Sequence, residues 1–312
     1  MARVHPVDRA AGVAFRRLPR HLRVFRDGWG AGLDEWLPLG GLPTEPDDLD
    51  ISWGPAVLSK NVVGRHGTFL SHADHLPDVA RTGHLYLVQP PGGYDRLVVL
   101  MAAWNDHGYA TREGIAQLLT RRGIASVIPE NPYYGKRRVF ANQAIRTVVD
   151  FALMTQGAVN EARSLLLTFA NEATTLGVAG YSMGGSLAAL VAATAPHPVR
   201  AAPLAASYSP APVFVYGALS GAVEWIALGP DGRDKLFKVL STADVRDFPA
   251  PPLADRAVLA GANGDGYVPR DATEAIHRHW PGSQMRWFDA GHATLMLRRK
   301  ELLVEAIADA MV

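Results

Sequence analysis

The sequence predicts an α/β fold: a mostly parallel, twisted sheet flanked by helices. Three observations lead there. From His84 onward, apolar runs of strand length alternate with longer stretches of helical spacing, the pattern of repeated βαβ units. Leu97-Val98-Val99-Leu100-Met101-Ala102 is apolar throughout, as expected of a strand covered on both faces. Leu176 to Gly180 reads as another such strand, and it leads through a tight turn at Ser182 into Ser186 to Ala193, a helix rich in alanine and leucine.

Taken in order, residues 1–83 form an N-terminal extension packed on the core. Pro38, Pro43, Pro46 and Pro55 punctuate it, so long regular elements are not expected there. Phe15, Leu18, Leu22 and Phe25 recur at helical spacing, with Arg16, Arg17, Arg20, Arg23 and Arg26 between them. A basic amphipathic helix can lie on an anionic membrane surface. Pro19 interrupts the pattern, and a helix packed on the main domain with a solvated arginine face is the favoured reading. His66, His72, His75 and His84 lack the carboxylates or thiolates at tight spacing that imidazole metal sites recruit, so loop and strand histidines are expected, with no metal.

Residues 84–312 form the main domain. Strands are expected at His84–Val88, Leu97–Ala102, Ile124–Ile128, Leu176–Gly180, Ala201–Ala206, Ala257–Gly261 and Gln284–Phe288. Helices are expected at Thr111–Arg122, Asn142–Ala173 with a break near Gly157, Asp271–Trp280 and Thr294–Met311. Residues 208–252 interrupt the alternation with short helical pieces bounded by Gly229-Pro230 and Pro249. They read as a small helical cap inserted between strands, placed to supply an apolar pocket.

Composition sets bounds. The chain has 312 residues, 48% of them hydrophobic, enough for a sizeable core. A formal net charge of +1 gives no overall sign of a nucleic-acid partner. The absence of cysteine excludes disulfides, thiolate metal sites and a cysteine nucleophile. No signal-peptide run and no bilayer-length apolar stretch is visible, so a cytoplasmic protein is the expectation.

The chemistry-bearing residues sit at the ends of the expected strands. Gly180, Ser182 and Gly184 form a G-x-S-x-G pattern at a strand-to-helix turn, the nucleophile elbow of an α/β-hydrolase. The glycines let the chain cross itself closely around the serine. In that fold the acid and then the histidine follow the serine on loops after later strands. Asp265 follows the Ala257–Gly261 strand, and His292 follows the Gln284–Phe288 strand. His292 is placed to take the Ser182 proton, and Asp265 to fix the imidazole tautomer. Asp255, Asp231, Asp244 and Asp247 are rival acids that lie earlier, and His277 and His279 fall inside a helix. The oxyanion hole needs two N–H donors. Met183 supplies one, and the loop after Leu97–Ala102 supplies the other through Trp104 or Asn105. Asp106 and His107 are placed to orient that loop or line the pocket. In the loop Glu130–Arg138, Tyr134, Lys136 and Arg137 are candidate substrate contacts, with the cations Lys136, Arg137 and Arg138 placed to meet a phosphate or carboxylate.

The elbow, the Asp265 loop and the His292 loop resemble the α/β-hydrolase superfamily over residues 84–312. Asn105-Asp106-His107-Gly108-Tyr109, then Glu130-Asn131-Pro132-Tyr133-Tyr134-Gly135-Lys136-Arg137, then Gly261 to Arg270, look like the branch whose animal members are called alpha/beta hydrolase domain-containing protein 18. The chain differs from that branch in carrying Ala103-Trp104-Asn105 where a glycine-threonine-glycine-like stretch is expected. The resemblance implies an acyl-ester substrate, small or lipid-like.

The expectation is therefore a serine hydrolase acting on a carboxylic ester without a cofactor. Two rivals stand beside it: an acyltransferase that passes the same acyl-enzyme to an alcohol or amine, and a non-catalytic binding protein that keeps the fold.

Overall fold

The computed structural model describes residues 3–33, 45–59, 61–141 and 145–312. Pro38, Pro43 and the expected helix start at Asn142 lie outside the described residues. The sheet has ten strands: β1 (Ser52–Trp53), β2 (Val57–Ser59), β3 (Val62–Leu70), β4 (Thr82–Gln89), β5 (Arg96–Met101), β6 (Ile124–Pro129), β7 (Thr175–Tyr181), β8 (Arg200–Leu204), β9 (Val258–Ala262) and β10 (Gln284–Phe288). Their spatial order is β1-β3-β4-β6-β5-β7-β8-β9-β10, with β2 paired to β3. From β6 to β10 every pairing is parallel, whereas β3, β4 and β6 pair antiparallel. The sheet thus begins well before His84, and β3 is a nine-residue strand inside the proline-punctuated extension. Its first residues pair to Gln89 and Val88 of β4.

The helices are α1 (Pro6–Arg16), α2 (Asp78–Arg81), α3 (Ala110–Thr120), α4 (Val148–Thr168), α5 (Met183–Thr194), α6 (Ala211–Val215), α7 (Trp225–Leu228), α8 (Gly232–Leu240), α9 (Arg270–His279), α10 (His292–Arg298) and α11 (Lys300–Ala310). The apolar run of β5 explains the layering. Side chains alternate across a strand. Leu97, Val99 and Met101 accordingly join one core with Val159, Ala162 and Leu166 of α4 and Leu187 and Leu190 of α5. Val98 and Leu100 join the other with Ile115 and Leu119 of α3 and Leu303 and Ile307 of α11.

Four expectations are corrected. The Phe15–Phe25 helix does not form as one piece. The helix α1 stops at Arg16, a 3₁₀ turn spans Arg20–Leu22, and Phe25 is wholly buried at φ 57°. Pro19 has no N–H to continue the ladder. The long helix α4 starts at Val148 behind a capping box. There Thr147 Oγ1 accepts from Asp150 N at 3.0 Å, and Asp150 Oδ2 accepts from Thr147 N at 2.9 Å. It runs unbroken through Gly157. That glycine serves packing, since a Cβ there would lie 3.1 Å from Leu76 Cδ1 and Pro132 Cγ. The final helix is two: at Arg299 the backbone leaves helical geometry (φ −135°, ψ 30°) and separates α10 from α11.

Residues between β8 and β9 carry α6, α7 and α8 and pack on the N-terminal segment. Val24 bridges Val223, with Val24 N donating to Ala222 O and Glu224 N to Val24 O, both at 2.9 Å. Phe25, Trp104, Phe151 and Phe214 form an aromatic cluster beneath, with ring centroids 5.3–6.2 Å apart. Among the described residues no helix is long and apolar enough to cross a membrane.

Candidate active site

Ser182 sits between β7 and α5 at φ 58°, ψ −121°, a conformation L-residues rarely adopt. Its N–H donates to Leu204 O on β8 at 2.9 Å, and its carbonyl accepts from Ser186 N at 3.0 Å. The turn is crowded on every side. A Cβ on Gly180 would lie 2.9 Å from Gly184 Cα and collide with the Gly184 carbonyl; one on Gly184 would strike the Met101 carbonyl. Glycine at both positions is therefore required by the close approach of three backbones. Among the described residues the Ser182 hydroxyl makes no hydrogen bond.

The acid and the histidine meet. His292 Nδ1 lies 2.7 Å from Asp265 Oδ2, and their side chains are 9% and 5% exposed. Asp265 Oδ1 accepts from Tyr267 N and Val268 N, each at 2.8 Å, so the carboxylate is held by its own loop. The imidazole stacks on Tyr267 (centroids 4.7 Å, 22°) and tilts against Tyr181 at 5.0 Å. Tyr181 Oη donates to the His292 carbonyl at 2.7 Å, tying the histidine loop to the elbow strand. Burial, with Asp8 and Asp265 nearby, pushes the Tyr267 phenol up to about 12. Burial also raises Tyr181 well above its usual value, with Asp265 and Asp8 adding to the shift, so both rings stay neutral beside the pair.

Ser182 and His292 line one cavity of about 400 Å³. Its walls are mainly apolar: Phe15, Leu18, Leu22 and Val24 from the N-terminal segment, Leu219 from the β8–β9 connection, and Met296 and Leu297 from α10. A smaller pocket beside Ser182 is lined by Trp104, Phe151, Met183, Phe214 and Val268.

The loop after β5 reaches the cavity through Trp104, Asn105 and Asp106. Asn105 holds φ 59°, a left-handed conformation that asparagine tolerates better than most residues. It donates its N–H to Tyr134 Oη at 3.2 Å. The Trp104 N–H has no acceptor among the described residues. Met183 opens α5, so its N–H has no intrahelical partner. Asp106 is paired with Arg112 at 2.7 Å. Arg112 also donates to the carbonyls of Leu100, Gly108 and Pro129, locking the loop to the ends of β5 and β6. Burial lowers the Arg112 pKa, an effect the adjacent Asp106 offsets.

The other candidates lie elsewhere. His107 accepts from Gly135 N at 3.2 Å and packs on Tyr134. Tyr134 is fully buried behind the loop, its hydroxyl 4.0 Å from Met183 Sδ. Lys136 is exposed, with its backbone N–H on Glu130 Oε2. Arg137 is a clear correction. It is wholly buried, ion-paired with Glu161 at 2.6 Å, and further bound to the carbonyls of Ala80 and Glu130, so no donor is left for a substrate. The four N-terminal histidines have local roles. His66 stacks on Tyr86, His72 meets Asp48 O at 3.0 Å, and His75 meets Leu153 O at 3.3 Å. His84 pairs with Thr68 across β3 and β4.

Sequence reasoning missed Asp8. It is 1% exposed and its carboxylate accepts from Gly266 N (3.0 Å), His292 N (2.6 Å) and Ala293 N (3.2 Å). An aspartate in the first turn of a helix normally signals no more than dipole compensation, so the sequence carried no cue to this contact.

The fold has solved counterparts. Acetyl xylan esterase 1 from Thermoanaerobacterium sp. superposes with a TM-score of 0.60 at 14% identity, over 95% of this chain and 99% of that one. Carboxyl esterase 2 from the mycorrhizal fungus Tuber melanosporum superposes with a TM-score of 0.57 at 15% identity, over 99% and 100%. At such identities the likeness establishes the α/β-hydrolase fold. The family model described as "Alpha/beta hydrolase domain containing 18" matches residues 42–238 and 231–312. With strand order, elbow and loops all in place, the chain belongs to the alpha/beta hydrolase domain containing 18 family of α/β-hydrolases.

Proposed function

We propose that the protein is a serine hydrolase of carboxylic esters, with Ser182 as nucleophile, His292 as base and Asp265 as the orienting acid. One observation carries the reading. His292, held 2.7 Å from Asp265, and a strained Ser182 line the same apolar cavity. Asp265 on Nδ1 leaves Nε2 as the proton acceptor for Ser182. The serine oxygen attacks the acyl carbonyl as its proton passes to Nε2. The oxyanion rests on the N–H groups of Met183 and Trp104. Asn105 is the weaker candidate because its N–H is already engaged by Tyr134. Collapse of the intermediate expels the alcohol, which takes the proton from His292. Water, deprotonated by the same nitrogen, then releases the acid and restores Ser182. The cavity walls of Phe15, Leu18, Leu22, Leu219 and Met296 suit an apolar, lipid-like acyl or alcohol group. Esterase names among the structural counterparts agree with this class.

The test is hydrolysis of p-nitrophenyl esters of increasing chain length by the wild type and Ser182→Ala. The expected result is a loss of about 10⁴-fold or more in kcat/KM and no fluorophosphonate labelling of the variant. Equal rates in the two proteins would reject the proposal. Appearance of an acylated alcohol or amine in place of free acid would reassign it to acyl transfer.

A further inference from the structure

The N-terminal segment is sequence-remote from the elbow, yet its helix α1 meets both loops that follow the last two strands. His5 N donates to Gly264 O at 2.9 Å, and the Asp8 carboxylate receives three backbone N–H groups. One of these, Gly266, is next to Asp265; the other two are His292 itself and Ala293. Asp8 is free to do this because His5 caps the helix in its place, its Nδ1 accepting from Val7 N at 3.2 Å. A carboxylate can accept several hydrogen bonds through its two oxygens, and those to a charged acceptor are stronger than neutral ones.

The facing loops are shaped for this approach. Gly266 and Gly291 both have backbone angles that any residue adopts, so their conformation does not call for glycine. A Cβ on Gly266 would lie 2.8 Å from Asp8 Cβ and from Val4 Cγ1. One on Gly291 would lie 2.9 Å from Asp8 Oδ2 and 2.6 Å from His5 Cβ. Both glycines are explained by the closeness of α1.

We propose that Asp8 is a positioning residue of the active site: its carboxylate clamps the acid loop to the histidine loop and so holds the His292 ring on Asp265 and toward Ser182. It touches neither substrate nor the reacting atoms. It acts through the backbone of Gly266, His292 and Ala293. The inference rests on the proposed roles of Ser182, His292 and Asp265. An asparagine at position 8 offers one acceptor oxygen and one NH₂, so at least one of the three N–H groups then faces a donor. The histidine loop is freed to shift, and a misplacement near 1 Å costs about 100-fold in rate.

The experiment compares wild type, Asp8→Asn and Ser182→Ala. In Asp8→Asn, kcat on a p-nitrophenyl ester falls about 100-fold, while KM stays within about twofold, because Leu18, Leu22, Val24 and Leu219 of the apolar wall lie outside the freed loop. The low-field proton resonance of the His292–Asp265 hydrogen bond, sharp in wild type, broadens or disappears. Unchanged kcat with an unchanged resonance would overturn the proposal, as would a fall in kcat matched by a rise in KM with the resonance intact. A measurement on the wild type alone stands if the variant does not fold. The amide protons of Gly266, His292 and Ala293 should exchange slowly with solvent despite lying outside strands or at a helix start, and rapid exchange overturns the clamp. Fluorophosphonate labelling keeps the two readings apart. Wild type that fails to label removes the serine reading, whereas slow exchange at these three amides still reports the clamp.

Discussion

One buried ionisable pair, Arg137–Glu161, joins the loop after β6 to helix α4; another, His292–Asp265, joins the start of α10 to the loop after β9. Their contrast shows what separates structural polarity from chemistry. Arg137 and Glu161 meet at 2.6 Å, the arginine wholly buried and the glutamate 3% exposed. His292 and Asp265 meet at 2.7 Å, nearly as buried. The guanidinium has five N–H donors, and all five are used, on Glu161, Ala80 and Glu130. Glu161 also receives the Ser71 hydroxyl at 2.6 Å. The imidazole uses one nitrogen on Asp265. Its other nitrogen makes no hydrogen bond among the described residues, and the ring lines a cavity. The first pair is satisfied and inert. The second is satisfied on one side only, and the open side faces Ser182's cavity. A group that cannot lose its proton and has no free donor ties chain segments together. A ring that leaves one nitrogen open on a cavity keeps an atom for a ligand or a proton.

The largest expected effect breaks the reactive pair. Asp265→Asn should lower kcat by about 10⁴-fold with little change in melting temperature, because an amide NH₂ beside Nδ1 selects the tautomer whose Nε2 carries the proton. Steady-state kinetics beside a thermal melt would check it; an active variant would remove Asp265 from the reaction. The mirror experiment is Glu161→Gln. It leaves Arg137 charged and buried without its counter-ion, and the expected loss is about 3–5 kcal/mol of stability. The protein that remains folded should keep the wild-type kcat. Urea unfolding and active-site-normalised rates measure the two halves, and a kcat that falls with stability intact would bring Arg137 back toward the site.

The smallest effect concerns pH. His84, near Arg137, has its pKa lowered by burial first, and then by Lys136 and Arg137. The unfolded chain therefore binds a proton near the ordinary histidine value before the folded one does. The stability this histidine contributes is fully present above that value and is lost as pH falls through the lower, folded one. His75, His107 and His197 are lowered by burial in the same sense. Melting temperature should fall between about pH 7 and pH 5.5, and His84→Gln should make that fall slightly shallower. A flat profile in the wild type would contradict the burial of these rings.

How much was legible follows from the same contrast. The Ser182 turn was readable because its glycines are dictated by local crowding that every such turn shares. Asp265 and His292 were readable because strand order fixes which loops share an edge. Arg137 was misread: a cation after a strand looks the same in sequence whether it faces a ligand or a carboxylate on α4. Trp104 and Asn105 look alike in sequence; in the fold the Asn105 N–H meets the Tyr134 hydroxyl, while the Trp104 N–H meets no acceptor among the described residues. The extension was underestimated. Its prolines suggested irregular chain, yet β3 joins the sheet and α1 reaches the site. The α1 contact rests on partners far along the chain and β3 on pairing with the neighbouring β1, β2 and β4, neither of which the prolines reveal.

That reach has a consequence for assembly. The bond from Asp8 to the His292 amide joins positions separated by 284 residues, nearly the whole chain. During synthesis α1 emerges well before its docking partner. Contacts of such separation form late and slow the search for the native state. A nascent chain that has not yet released the His292 loop would carry Ser182 in an unfinished cavity, closed only once that loop docks on α1.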